Sequence, residues 1–256
     1  MPPKKPDRCA VGLGLGPLAA AYIAVPNALD LIKGPLSFTS LENPDGFRKM
    51  EGGGTSTGFD LFVGLDAETD PDLKNVVTAV RADLRPALFP AGTEGVPIAS
   101  FSDYYCPYYR ILTERLGNLV KAGSADVAVN VSWHELPLLG ATSVMAAKTA
   151  LSAKKQGAYL AFHTRMMRSR FQSTPEYPGL IADSIGIDRQ LYLDDMKGPD
   201  VADEIRRSRA LGRIFGFFGT LALVVGRTVV QGNITEEALQ RLIERERADG
   251  PVAACG

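Results

Sequence analysis

The sequence predicts an α/β fold, and three stretches in a fixed order carry this prediction. An apolar run over residues 96–101, a helical stripe and an alternating stretch over residues 127–134 predict a β-strand–helix–β-strand unit. Residues 141–215 then show helical patterns, and residues 221–231 predict a β-hairpin that a final helix follows. With 256 residues the chain can bury a full core, in one or two domains.

Composition and charge exclude several classes of protein. Hydrophobic residues make up 45% and charged residues 22% of the chain, as in ordinary globular proteins. The formal net charge of −1 gives no reason to expect nucleic acid or an anionic membrane surface as a partner. Cys9, Cys106 and Cys255 are too far apart for a disulfide framework or a metal-ligand motif. We therefore expect no cofactor, no metal site and no nucleic-acid partner.

The N-terminal residues 1–33 have the pattern of a targeting segment. A short basic region precedes an apolar, Gly- and Ala-rich run, and Ala19-Ala20-Ala21 offers a small-residue cleavage site. Two alternatives stay open, an uncleaved membrane anchor that continues to Ile32 and a plain hydrophobic helix. Pro17 and Pro26 make the segment a poor spanning helix.

Residues 34–94 predict an extension that packs on the core, because the region is too small to bury much by itself. Residues 47–50 and 59–64 predict a short strand or two with glycine turns. Lys74 to Leu84 has the apolar spacing of an amphipathic helix, which Pro86 and Pro90 are expected to end.

The elements after residue 95 are predicted in order. The first two are a core strand at Val96–Phe101 and a helix from Pro107 to the residues before Gly123, with a long strand at Val127–His134 after them. Helices follow at 144–156, 159–170, 175–186, 189–196 and 199–215. The hairpin turns at Gly226-Arg227, Thr235 caps the last helix, and the chain frays from Arg247 into a flexible tail at 248–256.

Cys106 is the candidate reactive residue. It follows a buried strand and a short polar turn, and Pro107 suits the first position of a helix because a proline lacks the N–H that would have no partner there. The free N–H groups and the dipole of a helix N-terminus favour an anion, here the thiolate. The alternative is a cysteine that acts only as a small buried hydrophobic residue.

The stretch Phe101-Ser-Asp-Tyr-Tyr-Cys-Pro-Tyr-Tyr-Arg110 resembles the active-site segment of DsbA-family thioredoxin-fold oxidoreductases, whose motif is Cys-Pro-x-Cys or Cys-x-x-Cys. Trp133–Gly140 and Phe217–Gly232 match the same family in order and spacing. The resemblance covers about residues 95–247. It implies a thioredoxin-like fold, in which a central mixed sheet carries an inserted helical subdomain at about 138–215.

Two diagnostic residues of that family differ here. Tyr109 stands where the family has the second, resolving cysteine, and Leu221 stands where the family has a proline in cis. The resemblance implies that this loop, here Thr220 and Leu221, pairs with the backbone of the substrate. A phenol cannot resolve a mixed disulfide. Because a cis bond before a residue other than proline costs about 3–4 kcal/mol, we expect the Thr220–Leu221 bond to be trans, or else strained.

Several neighbours of Cys106 invite a functional and a structural interpretation. His134 and Glu135 either tune a nearby thiol or form local hydrogen bonds before Pro137. His163 lies on an apolar helical face, which is more typical of a semi-buried structural histidine. The aromatic cluster of Tyr104, Tyr105, Tyr108 and Tyr109 either binds extended peptide or belongs partly to the core.

Three functions follow as hypotheses. The first is a DsbA-like oxidoreductase that acts through Cys106 alone, with Pro107, Tyr108 and Tyr109 as motif neighbours and with protein thiols or disulfides, and possibly glutathione, as partners. The second is a redox-inactive peptide-binding or chaperone-like protein. The third is a glutathione-dependent transferase or isomerase. The N-terminal pattern and the resemblance imply a bacterial periplasmic protein, either soluble after cleavage or anchored to the inner membrane.

Overall fold

The structure is a computed structural model, and it describes residues 35–51, 72–92, 94–106, 109–122, 128–169, 174, 176–217, 219 and 221–250. The chain divides into a segment, Met1–Ser37, and a compact unit, Phe38–Gly256. Every described helix and strand belongs to the second unit. The predicted targeting segment, the predicted strand at 59–64, Pro107, Tyr108, Thr220, Cys9 and Cys255 lie outside the described residues.

The described strands form one mixed sheet in the order β1-β2-β6-β5-β3-β4. They are β1 (Phe38–Ser40), β2 (Arg48–Met50), β3 (Val96–Ser102), β4 (Val129–Glu135), β5 (Ala222–Val225) and β6 (Thr228–Gln231). β3 runs parallel to β4 and antiparallel to β5, and β5 pairs antiparallel with β6. The predicted β-strand–helix–β-strand unit and hairpin therefore lie side by side, with β4 at one edge of the described sheet.

The described helices are α1 (Leu73–Ala82), α2 (Leu84–Leu88), α3 (Tyr109–Ala122), α4 (Ala141–Lys155), α5 (Tyr159–Arg168), α6 (Tyr177–Ser184), α7 (Arg189–Asp195), α8 (Pro199–Ile214) and α9 (Glu236–Asp249). The run α4–α8 lies in sequence between β4 and β5, as the helical insertion was predicted to do. None of the helices in the described part of the chain is long and apolar enough to cross a membrane.

The residues before β3 join the core. β2 pairs in parallel with β6, and β1 continues the sheet beyond it. One large apolar cluster combines Phe47, Leu73 and Val80 with residues from β3, α8 and the hairpin. The extension therefore buries its apolar side chains against the same sheet that carries the Cys106 loop.

Two local predictions for the helices were wrong. Pro86 does not end the first helix, which stops at Ala82, and it is the third residue of the short helix α2. The first turn of a helix tolerates proline because the N–H groups there have no intrahelical acceptor. The last helix does not fray at Arg247 but continues to Asp249.

Ion pairs explain why α9 continues. The Asp249 carboxylate contacts the guanidinium groups of Arg48, Arg227 and Arg245. One turn earlier, the buried Glu246 Oε1 lies 2.6 Å from an Arg48 Nη2 and accepts from the Thr228 hydroxyl at 2.6 Å. The cluster thus joins β2, β6 and the final helix.

The predicted hairpin turn is confirmed and abuts this cluster. Gly226 has a φ of 58°, and a Cβ at this position would lie 2.2 Å from Glu246 Oε2. Glycine is therefore required both by the backbone conformation and by the close approach of the carboxylate. The Arg227 N–H donates to the same oxygen at 2.9 Å.

Replacing Glu246 tests this junction. Glu246→Ala leaves the buried Thr228 hydroxyl and the Arg227 N–H without their acceptor and removes one of the two carboxylates paired with Arg48, so we expect the free energy of unfolding to fall by about 2–4 kcal/mol. Urea unfolding measures the change, and Glu244→Ala, an exposed position on the same helix, is the control. A loss for Glu246→Ala no larger than that for Glu244→Ala would contradict the assignment.

Candidate active site around Cys106

Cys106 lies in the loop that leaves β3, directly before the first described residues of α3. Its N–H donates to the carbonyl of Asp103 at 3.1 Å, and its own carbonyl accepts the N–H of Tyr109 at 3.2 Å. The residue is buried, with 5% of its surface exposed, and forms no disulfide. It is the only cysteine among the described residues, so the structure offers one thiol at this site.

Asp103 fixes the shape of the loop. Its Oδ1 accepts the N–H of Tyr105 at 2.9 Å and the hydroxyl of Ser143 at 2.8 Å. Its Oδ2 accepts the N–H groups of Leu138 and Leu139 at 2.8 and 3.0 Å. A carboxylate with four donors is well satisfied although it is buried. Asp103 therefore ties the Cys106 loop to the segment that begins the helical insertion.

Tyr109 occupies the position of the family's second cysteine and belongs to the core. Its side chain is fully buried, and its hydroxyl lies 2.7 Å from the Ser100 hydroxyl on β3. Burial raises the pKa of Tyr109, so the phenol is neutral at physiological pH. The ring fills the space beneath the start of α3 and offers no group that can attack a disulfide.

Glu135 lies at the centre of a buried polar cluster that we call the Glu135 cluster, consisting of Tyr104, Glu135, Tyr159 and His163. The hydroxyls of Tyr104 and Tyr159 both donate to Glu135 Oε1, at 2.8 and 2.7 Å. The Tyr104 oxygen also lies 3.0 Å from His163 Nδ1. Since the Tyr104 hydrogen is given to Glu135, His163 carries its proton on Nδ1 and donates to Tyr104.

The Glu135 cluster is neutral near pH 7. Burial raises the pKa of Glu135 to about 8, although the hydrogen bonds from Tyr159 and Tyr104 act in the opposite direction. Burial also lowers the pKa of His163 to about 3. The second oxygen of Glu135 lies 3.4 Å from the Ser102 hydroxyl, which can donate to the His134 carbonyl at 3.2 Å.

His134 and Glu135 point to opposite faces of the sheet, as neighbours on a strand must. His134 stacks on Phe101 with ring centroids 4.8 Å apart, and its Nε2 lies 2.8 Å from the Leu88 carbonyl oxygen. Burial lowers the pKa of His134 to about 4. Of the two residues considered for thiol tuning, only Glu135 shares a hydrogen-bonded cluster with the Cys106 loop, through Tyr104.

The predicted aromatic cluster divides between core and surface. Tyr104 is buried against Phe162 and His163, with ring centroids 5.8 and 5.4 Å apart. Tyr105 is half-buried.

Leu221, on the predicted substrate loop, is buried, and its carbonyl accepts the Gly232 N–H at 2.9 Å. The predicted geometry of the Thr220–Leu221 bond involves Thr220 and so lies outside the described residues.

The sequence pattern around Glu135 indicates a buried polar face only when β3 and β4 are compared as a pair. In the parallel pairing of β3 and β4, Ser100 lies opposite Trp133, and Ser102 lies opposite Glu135. Polar residues at alternate positions of two adjacent strands indicate one buried polar face.

Among the described residues there is no group of three or more His, Cys, Asp or Glu side chains that could hold a metal ion.

A family model for the DSBA-like thioredoxin domain matches residues 97–244. The chain belongs to this family. The match confirms the predicted thioredoxin-like fold with its inserted helices, and it identifies the chain as a relative of thiol–disulfide oxidoreductases. A comparison with curated proteins finds no match.

Solved structures of similar proteins agree with the family. A thioredoxin-like oxidoreductase from Silicibacter pomeroyi DSS-3 is 34% identical over 64% of this chain and 98% of that chain, with a TM-score of 0.60. A periplasmic thioredoxin-like protein from Salmonella enterica serovar Typhimurium is 26% identical over 64% of this chain and 96% of that chain, with a TM-score of 0.55. The thiol-disulfide exchange protein alpha-DsbA2 from Wolbachia pipientis is 22% identical over 69% of this chain and 99% of that chain, with a TM-score of 0.58, and shows the fold alone.

The raised pKa of Glu135 predicts a specific pH dependence of stability. Its pKa rises from 4.5 to about 8 on folding, so its stabilising contribution is complete below pH 4.5 and is lost as the pH rises through 8. Glu135→Gln keeps the acceptor for both tyrosines and does not titrate. We therefore expect the variant to gain free energy of unfolding relative to the parent between pH 5 and pH 8, by up to about 1.4 kcal/mol per pH unit.

Urea unfolding at pH 5, 6.5 and 8 measures this difference. The two buried histidines are present in both proteins, so their titration cancels in the comparison. Glu114→Gln, at an exposed position on α3, is the matched control and should show no trend with pH. A stability difference for Glu135→Gln that does not change with pH would contradict a neutral Glu135.

Proposed function

We propose that this protein is a DsbA-like thiol–disulfide oxidoreductase that acts through a single nucleophilic cysteine, Cys106. The observation that carries the proposal is the fully buried Tyr109, hydrogen-bonded to Ser100 at the position where the family has its second sulfur. Cys9 and Cys255 lie outside the described residues. A cycle without a resolving cysteine must take its second thiol from another molecule.

The proposed cycle has two exchange steps. The Cys106 thiolate attacks one sulfur of a disulfide R–S–S–R′, which forms Cys106–S–S–R and releases R′–S⁻. The thiolate of an external thiol then attacks the R sulfur, which regenerates the Cys106 thiolate and leaves a new disulfide. No electrons are gained or lost overall, because each step exchanges one thiolate for another. Protein thiols or disulfides are the proposed partners, and glutathione is the proposed external thiol.

Export from the cytoplasm belongs to the same proposal. The Salmonella relative is described as periplasmic, and the first 33 residues of this chain have a basic start and a long apolar run. Disulfide exchange with folded proteins is favoured in such an oxidising compartment. We propose a periplasmic protein, soluble after cleavage of that segment or anchored by it.

The first test uses the full chain with Cys9→Ser and Cys255→Ser, in which Cys106 is the only thiol. We expect oxidised glutathione to give an adduct with this protein that dithiothreitol then removes. The same background with Cys106→Ser is the control. Intact-mass spectrometry measures both reactions.

If Cys106 forms no adduct with glutathione, the proposal is rejected. The burial of the residue favours one alternative in that case, a redox-inactive protein that binds peptides through this fold. That function would survive the Cys106→Ser substitution, whereas thiol exchange would not.

The second test restores the missing sulfur. Tyr109→Cys should place two thiols at the family's spacing, so we expect an intramolecular disulfide after oxidation and a gain of insulin-reducing activity. The substitution also removes a buried ring and should cost about 3 kcal/mol of stability. Tyr109→Ser is the matched control, since it makes the same cavity without a sulfur. A folded Tyr109→Cys protein that forms no such disulfide would contradict the assignment of residue 109 to the position of the family's second cysteine.

A further inference from the structure

A groove of about 590 Å³ runs between α5 and α6 in the helical insertion. Residues that line it include Leu160, Thr164, Arg165, Arg168, Tyr177 and Ile181. The volume is in the range of clefts that hold several side chains of a ligand. The groove is open to solvent.

The groove is apolar at its lip. Leu160 on α5, which lines the groove, is 56% exposed, and Leu180 on α6, the residue before the lining Ile181, is 60% exposed. Exposed leucines on two adjacent helices form a surface that gains from being covered.

The groove is also cationic. Arg165 and Arg168 lie one turn apart on α5, and neither forms an ion pair with any described residue, whereas Arg189 and Arg206 on neighbouring helices are each paired with an aspartate. No acidic residue among those that the structure describes lines the groove. An occupant that combines apolar side chains with carboxylates would therefore be complementary to it.

One of the two helices, α5, also contacts the Cys106 loop. The opposite face of α5 packs against this loop, where Tyr104 contacts Phe162 and His163. Burial, Asp103 and Tyr177 in the groove wall together raise the pKa of Tyr105. Tyr105 immediately precedes Cys106. Its hydroxyl is buried and has no hydrogen-bond partner in the described chain.

We propose that the α5–α6 groove docks the polypeptide substrate of Cys106, as an extended segment with apolar side chains against Leu160 and Ile181 and with carboxylates paired to Arg165 and Arg168. The proposal rests on thiol exchange at Cys106 and adds a substrate class, acidic segments of a protein that carry a cysteine. Docking would raise the local concentration of that cysteine near the Cys106 sulfur.

The test compares two cysteine peptides that differ only in charge. Both carry the same leucines and one cysteine, which is linked as a disulfide to 5-thio-2-nitrobenzoate; one has two glutamates and the other has two lysines. Cys106 attacks the peptide sulfur, forms the mixed disulfide and releases coloured thionitrobenzoate as the leaving thiolate. The full chain with Cys9→Ser and Cys255→Ser is the enzyme.

We expect the acidic peptide to react about tenfold faster than the basic one, the factor that two partly exposed ion pairs together supply. The double variant Arg165→Gln/Arg168→Gln should lose this preference. Arg207→Gln, an exposed arginine on α8, should keep it. Equal rates for the two peptides with the unsubstituted arginines would overturn the proposal.

A second measurement separates docking from chemistry. Fluorescence anisotropy with the acidic peptide, its cysteine replaced by serine, reports binding alone. Binding that the double variant weakens supports the groove even if Cys106 releases no thionitrobenzoate from any disulfide, a result that would reject thiol exchange and not docking. Release from the small disulfide 5,5′-dithiobis(2-nitrobenzoate) without peptide selectivity or binding would reject docking and leave thiol exchange standing.

Discussion

The buried Asp103 carboxylate is the interaction on which the geometry of the site depends. Its four hydrogen bonds join the loop before Cys106 to the backbone and the first helix of the insertion. Each donor is either a backbone N–H or a buried hydroxyl. Removing the carboxylate would leave these donors without an acceptor and would lower the stability of the fold. The position of Cys106 is therefore set jointly by the sheet and by the inserted helices.

Hydroxyl groups and one carboxyl group are buried next to the Cys106 loop. The Tyr109 and Ser100 hydroxyls hydrogen-bond to each other, and Glu135 accepts from Tyr104 and Tyr159. In the proposed single-cysteine cycle the second thiol and the polypeptide substrate both come from other molecules. The proposed external thiol and the proposed docking groove are therefore two parts of one proposal.

The sequence predicted the elements that local patterns define and missed those that depend on distant partners. The strand before Cys106 and the Gly226 turn follow from alternation and from turn chemistry. The three-residue strand β1 is too short to show a period. The partners of Glu135 could not be predicted because they depend on the β3–β4 register and on α5, and the end of α9 depends on Arg48, about two hundred residues away in sequence.

The docking of β2 on β6 makes the folding unit larger than the family's domain. The family match begins at residue 97 and ends at residue 244, but Phe47, Leu73 and Leu88 lie in the main apolar cluster and Glu246 holds Arg48. A fragment cut at the family boundaries would expose one face of the sheet and an unpaired edge at β6, a template for aggregation. The residues outside the recognised domain thus protect it from aggregation. An evolutionary change in these residues would affect the solubility of the protein before it affected the reaction at Cys106.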